Sequence, residues 1–503
     1  MKRKIDIQRK NTNIKRIVCL VVPFFLIGNS YAQKPRDTCS YDRYDVSPAK
    51  QYYDDHIPFA VGDDPPATPS DTGYRNIFFI HGLGGDATAW SNVADACQNE
   101  KLKIQGFPAR KCTTHRLSYV DDTKATVWAA AAHTGVQIRT LSDFYLRNYN
   151  INPERGIIIA HSQGGIVTRA LMNLDFDNNA ILPPFGRGYG GVITVASPLQ
   201  GAMILNNRHL LRNMADDACN RLLAGPMSSM LASKLMEYAF GGLQSACSTA
   251  TGPVLNFFVS HFYDSITAAY TVGSPLIDMF NSDANNPNYC SMPKIAISPS
   301  QHNDNIMWRA LNWFVNNPNN YGHFGATEAH DYKFYYDYVD TAYKNYKAKV
   351  VEFDNKYKEC RDGFIVSIVG GVLTGWIFVG AGGITTSVLM GDYYLDRKNA
   401  YQKGVNWIDK ANDDWLTVIG ASEYIQGPYE FWKSHVSDGV VLKKSSSDLP
   451  CATWAPLGTY TSSTNGKRTG STHMQIRNDD KIKEILNATF NGLFDKFFAT
   501  PQK

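Results

Sequence analysis

Apolar residues along this chain follow two periods, and their order predicts an architecture. Asn76-Ile77-Phe78-Phe79-Ile80, Ile157-Ile158-Ile159 and Gly191-Val192-Ile193-Thr194-Val195 are short apolar runs rich in β-branched and aromatic residues. Without polar alternation, such runs read as strands buried on both faces. A further strand is expected near Thr113 to Ser118. Helices are expected from Trp90 to about Lys101 and from Thr126 to about Arg147. After the isoleucine run, Ile166, Val167, Ala170, Leu171 and Leu174 recur at helical spacing. Strand and helix therefore alternate, which predicts an α/β fold with a mostly parallel sheet flanked by helices.

That regularity stops near residue 203. Residues 203–412 read as a large, mainly helical cap insertion, with candidate helices at Ser228 to Leu243, Asn303 to Asn316 and Phe334 to Cys360. Trp415-Leu416-Thr417-Val418-Ile419-Gly420 reads as a strand that resumes the sheet, and Gly439-Val440-Val441-Leu442 follows a second loop. Ile482, Ile485, Leu486, Phe490, Leu493 and Phe497 then fall on one face of a closing amphipathic helix. The expected core is thus split between 74–202 and 413–503.

The N-terminus changes the picture of charge. Lys2 to Arg16 is basic, Ile17 to Gly28 is apolar, and Ser30-Tyr31-Ala32 is a small-x-small site, so residues 1–32 read as a signal peptide. Residues 33–73, polar and proline-bearing, read as an extended arm. The chain is +4 overall, but the seven basic residues and one acid of 1–32 contribute +6, and 4 − 6 leaves −2 for the rest. No basic stripe is left to bind nucleic acid. The expected destination is the periplasm, the cell surface or the medium. Beyond Cys19 the chain has eight cysteines, an even number that fits disulfides in an exported protein, and none shows C-x-x-C metal spacing. Cys97 and Cys112, close in sequence, are the first candidate pair.

The candidate chemistry sits where the isoleucine run ends. In Ala160-His161-Ser162-Gln163-Gly164, small residues bracket one serine between a strand and a helix, the context of a nucleophile elbow. A serine hydroxyl needs a base, an acid that orients the base, and N–H donors for the developing oxyanion. Asp438, in Ser437-Asp438-Gly439, follows the resumed strand and is the candidate acid. His473 alone among histidines lies after it, which makes it the candidate base. His435 and Asp479 are the competing residues. The amides of Gln163 and of Leu83, in the glycine-rich loop His81-Gly82-Leu83-Gly84-Gly85, are the candidate oxyanion donors. His81 and His161 are read as packed or locally hydrogen-bonded.

These segments, in this order and together with Val195-Ala196-Ser197-Pro198 to Gly201, resemble the α/β-hydrolase superfamily, and within it the secreted triacylglycerol lipases and lipase-like esterases. Ala160 stands where glycine is commoner in that group. The resemblance covers only the core. It implies hydrolysis of a carboxylic ester through an acyl-enzyme, with no cofactor required for the chemistry and an acyl-ester or lipid substrate. A structural calcium site is not legible in the sequence.

One stretch keeps other readings in play. Residues 364–391 contain 28 residues without a charge, seven of them glycine. They are expected to form either a lid that contacts lipid or a buried cap helix. Non-lipolytic esterase or acyltransferase activity, and a membrane-inserting or binding protein with a non-catalytic hydrolase body, are the alternatives. The triad argues against a single membrane crossing here, because that would separate Ser162 from Asp438 and His473.

Overall fold

Every residue of β1 (Arg75–Ile80) and β3 (Ile157–His161) is buried, and alternate residues feed two cores. Phe78, Ile80, Ile158 and Ala160 enter one apolar cluster, while Ile77, Phe79, Ile157 and Ile159 enter another. The period of two in a strand sends neighbours to opposite faces, so a run apolar throughout requires cover on both sides. Helix α1 (Val127–Tyr149) gives Ala130, Ala131, Ile138 and Leu141 to the first cluster, and α2 (Gln163–Phe176) adds Ile166, Val167, Ala170 and Leu171. Helix α5 (Asp480–Phe490) covers the other face with Ile482 and Leu486. Each fully buried Val, Leu, Ile or Phe side chain among these stabilises the fold by about 1.5–3 kcal/mol. Thr126 caps α1 by accepting the Ala129 N–H at 3.1 Å, and Asn150 ends it in the left-handed conformation.

These elements come from a computed structural model. It describes residues 75–83, 112–119, 126–176, 182–210, 265–300, 341–374, 377–425, 431–457, 476–478 and 480–498, together with His473 and a few positions between 85 and 94. With β2 (Cys112–Leu117), β4 (Gly191–Val195), β5 (Lys294–Pro299) and β8 (Thr453–Leu457), the main sheet has the order β2-β1-β3-β4-β5-β8. All its pairings are parallel. A separate antiparallel pair, β6 (Ser422–Ile425) with β7 (Phe431–Ser434), lies between β5 and β8 in sequence. The α/β fold class expected from the sequence is the one found.

Three expectations are revised. The span 203–412 is not wholly an insertion, because Lys294–Pro299 within it is β5 and pairs with β4 and β8 in the main sheet. Trp415 to Val418 is not a strand; it ends the 42-residue helix α4 (Ile377–Val418). Leu493 does not join the buried face of the closing helix, which ends at Phe490 and leaves Leu493 69% exposed. The expected signal and arm, the helices at 228–243 and 303–316, and Cys97 of the Cys97–Cys112 pair lie outside the described residues; Cys112 opens β2.

Helix α3 (Thr341–Thr374) and α4 run antiparallel as one long hairpin. Phe353 stacks on Tyr394 and Tyr401, and Lys398 reaches Asp354 across the arms at 2.6 Å. The uncharged stretch 364–391 forms the far end of this hairpin. At 1.5 Å per residue, α4 extends about 60 Å from its root at Trp415. Gly391, where the uncharged stretch begins on α4, is already about 36 Å along the helix from Trp415, too far for the stretch to cover Ser162, so the lid reading of 364–391 is withdrawn.

Candidate active site

Parallel registry brings the candidate residues to one edge of the sheet. Ile80 pairs with Ala160 and His161 with Val195, so the loops leaving β1, β3 and β4 emerge side by side at the carboxyl ends of their strands. Ser162 follows β3 directly and opens α2 with φ 53°, in the left-handed region that costs a non-glycine residue about 1–3 kcal/mol. Its neighbours must be small for this turn to close. A Cβ on Gly82 would lie 2.8 Å from Ser162 Cβ, one on Gly164 2.3 Å from the His81 carbonyl oxygen, and one on Gly165 2.1 Å from Ser197 Oγ. Buried Arg169, on α2, donates to the Leu199 carbonyl at 2.6 Å and so ties the β4 exit loop to the elbow helix.

Ser162, His473 and Asp438, spread over 311 residues of sequence, form one hydrogen-bonded line. Ser162 Oγ and His473 Nε2 are 2.8 Å apart, and His473 Nδ1 and Asp438 Oδ2 are 2.7 Å apart. Asp438 is fully buried; its Oδ1 accepts from the amides of Val440 at 3.0 Å and Val441 at 2.8 Å. Two N–H donors on the other oxygen fix the carboxylate in direction. Gly439 makes the turn with φ 97°, which explains glycine after the aspartate. The loops also join main chain to main chain, with the His473 N–H donating to the Asp438 carbonyl at 3.0 Å.

The two candidate donors differ in what surrounds them. Gln163 is the first residue of α2, so its N–H has no intrahelical partner and lies where the helix dipole favours negative charge. Its side chain is held by the Tyr119 hydroxyl at 3.1 Å. Leu83 sits in the turn after β1 and packs against the first core cluster. The competing histidine His435, one residue past β7, faces Glu423 of β6 at 3.1 Å. Asp479 lies outside the described residues.

His81 bonds the adjacent Gly82 carbonyl through Nδ1 at 2.8 Å, but its Nε2 also accepts the Tyr119 N–H at 3.4 Å, and its ring stacks on Tyr119. His161 reaches farther along the chain. Its Nε2 donates to the carbonyl of His473 at 2.8 Å, across 312 residues of sequence. Burial, with the neighbouring His473 and Arg477, drives its pKa well below the ordinary histidine value, so it stays neutral and holds the loop that carries the base. Sequence reasoning missed this role, and Tyr119 as well, because neither residue has a local pattern that records a partner so distant. Among the described residues no group of His, Cys, Asp and Glu has the arrangement of a metal site. Cys290 and Cys451 are joined in a disulfide that links the approach to β5 with the start of β8. Cys360, on α3, is a free thiol.

Residues 72–220 match the family described as PGAP1, a PGAP1-like alpha/beta domain. The match runs from β1 through the elbow to just beyond β4 and does not reach Asp438 or His473. No curated protein matches the chain. Among solved structures, the chain is similar to a lipase from Bacillus licheniformis, BlEst2 in mature form, at 14% identity, 47% coverage of this chain, 70% of that one and a TM-score of 0.28. It is also similar to the phospholipase PlaB from Legionella pneumophila, at 16% identity, 45% and 39% coverage and a TM-score of 0.27. A third is the peroxisomal alpha-beta-hydrolase Lpx1 from Saccharomyces cerevisiae, at 12% identity, 45% and 63% coverage and a TM-score of 0.24. Likeness at this level does not speak to substrate.

Proposed function

We propose that this α/β-hydrolase is a serine hydrolase of carboxylic esters, lipase-like in its substrates, working through an acyl-enzyme. The observation that carries the reading is the line from Ser162 Oγ to His473 Nε2 and from His473 Nδ1 to Asp438, at 2.8 and 2.7 Å. His473 removes the Ser162 proton as Oγ attacks the ester carbonyl, and the resulting imidazolium is stabilised by Asp438. The carbonyl oxygen becomes an oxyanion, and the amides of Leu83 and Gln163 donate to it. Such a donor typically contributes about 10²–10³ in rate. His473 then gives its proton to the leaving alcohol. Water, activated by the same histidine, attacks the acyl-enzyme and releases the acid. Every proton in this cycle is carried by a residue of the chain, so no cofactor is called for.

Two features support action outside the cytoplasm. The basic and apolar N-terminus has the pattern of an export signal, and a disulfide such as Cys290–Cys451 persists in oxidising compartments. The test is a panel of esters of increasing acyl length, assayed with wild type and Ser162→Ala below and above the substrate's aggregation concentration. Hydrolysis that depends on Ser162 and rises with aggregated substrate is the expected result. Absence of Ser162-dependent turnover on every ester overturns the reading.

A further inference from the structure

We propose that the α3–α4 hairpin is a membrane-dipping arm: its charged stalk stays in water and its uncharged end, 364–391, inserts partway into a lipid bilayer. The inference stands on the hairpin alone and is independent of the reading of Ser162.

The carrying observation is where charge stops. The stalk has ten charged residues between 341 and 362, and then the sequence has none until Asp392. The two boundaries are 30 residues apart in sequence but close in space. The arms pair so that Gly391 packs beside Cys360, where an added Cβ would lie 3.7 Å from Cys360 Cβ, and Lys398 meets Asp354. Asp362 and Asp392 therefore stand at about the same height on the hairpin. Charge is lost from both arms at a single level across the hairpin axis, on every face of each helix. Burial against a protein core normally produces a stripe along a helix, with charge kept on the opposite side. A step across the axis is what a water–lipid boundary produces.

The dimensions decide how deep the arm goes. From Asp362 to Thr374, and from Ile377 to Asp392, the helices rise about 18 and 22 Å at 1.5 Å per residue. A hydrocarbon core is about 30 Å thick, so the arm passes the middle and does not cross. Among the described residues no helix is long and apolar enough to cross a membrane. Depth has a cost, because hydrocarbon supplies no partners to the terminal backbone groups of a helix placed in it. Tilting the arm or thinning the bilayer lowers that cost.

The level of the step also has the residues of an interface. Tyr393 and Met390 are 47% and 40% exposed, and Tyr394 lies beside them. Tyrosine is enriched at the headgroup layer, where a ring can sit half in each medium. Arg397 lies over the Tyr393 ring and Lys356 over that of Tyr394. Within residues 354–362 and 392–398, five basic residues meet five acids. That balance makes the arm a ligand for lipid in general and not for anionic headgroups.

The experiment is flotation of the full chain with phosphatidylcholine vesicles, with and without phosphatidylglycerol, for three proteins. These are wild type, Val372→Asp/Val379→Asp, and a variant in which a short Gly-Ser turn joins Asp362 to Asp392. The wild type is expected to float equally with both vesicle types, and the bound fraction of each variant is expected to fall at least tenfold. An unchanged thermal midpoint shows that the variants remain folded. Brominated acyl chains should quench wild-type emission more than that of Trp376→Phe, one indole of the nine in the chain. Ser162→Ala should float like wild type, which separates this inference from the proposed chemistry. Equal flotation of wild type and the shortened hairpin overturns it. So does a tip-dependent dimer in solution without vesicle binding, which would mean that a second copy covers the tip.

Discussion

The indole N–H of Trp415, in the last turn of α4, donates to the carbonyl of Gly439 at 2.8 Å, one residue beyond Asp438. The root of the hairpin is thereby pinned to the loop of the proposed catalytic acid. Trp415 is 1% exposed, so Trp415→Phe leaves a buried carbonyl without this donor, at a cost of about 1–3 kcal/mol. A lower denaturation midpoint is expected, together with a fall of about 3- to 30-fold in kcat on a soluble ester and little change in KM. Loss of stability with unchanged kcat would show that the pin does not reach the acid.

Ser162→Ala, Asp438→Asn and His473→Ala are each expected to lower kcat by about 10⁴-fold while the fold survives, and the losses should not add in combination. Steady-state ester hydrolysis and circular dichroism check both halves of the statement. Near-wild-type turnover by Asp438→Asn would displace Asp438 from the role of acid.

Gly164→Ala puts a Cβ 2.3 Å from the His81 carbonyl oxygen, and backbone cannot yield there without moving the loop that carries Leu83. We expect kcat to fall by about 100-fold or more, as for loss of an oxyanion donor. Gly273→Ala is the control. It meets nothing within 4 Å but has φ +76°, so about 1–2 kcal/mol of stability should be lost with kcat intact. The pair is read by thermal melts alongside ester assays.

Burial lowers the pKa of His115 from 6.5 to about 3. A folded-state histidine that stays neutral while the unfolded one protonates loses stability as pH falls from about 6.5 to about 3, by about 1.4 kcal/mol per pH unit for one proton. The wild type should therefore be more stable at pH 7 than at pH 4.5. The dependence should be shallower in His115→Leu, as measured by urea midpoints at the two pH values. Parallel slopes would count against the assignment.

Cys290–Cys451 closes a loop of 161 residues. On the chain-entropy account such a bridge contributes up to about 5 kcal/mol. Reduction, or Cys451→Ser, should lower the melting temperature. An unchanged melt in reductant would remove the bridge from the stabilising interactions.

What the sequence determined by itself was local. Three isoleucines before Ala160-His161-Ser162 announce a strand, a strained turn and a helix, because a buried strand and a tight elbow each restrict the residues that can occupy them. The chain order Ser162, Asp438, His473 favoured this acid and base over Asp479 and His435, and their meeting is a matter of geometry alone. Tertiary structure decided where local pattern was ambiguous. Trp415-Leu416-Thr417-Val418 has the β-branched look of a strand. It ends a helix because Trp415, Leu416 and Val418 are all buried in that form and the indole finds the Gly439 carbonyl. Lys294–Pro299 is too short to distinguish from helix or loop by its periodicity, and it becomes a sheet strand only by pairing with β4 and β8. His161 looked local, yet its partner is the His473 carbonyl. The uncharged stretch 364–391 was plain in the sequence. That its two charge boundaries lie at one level follows only from the antiparallel pairing of α3 with α4, since contacts between distant residues leave no trace in local periodicity.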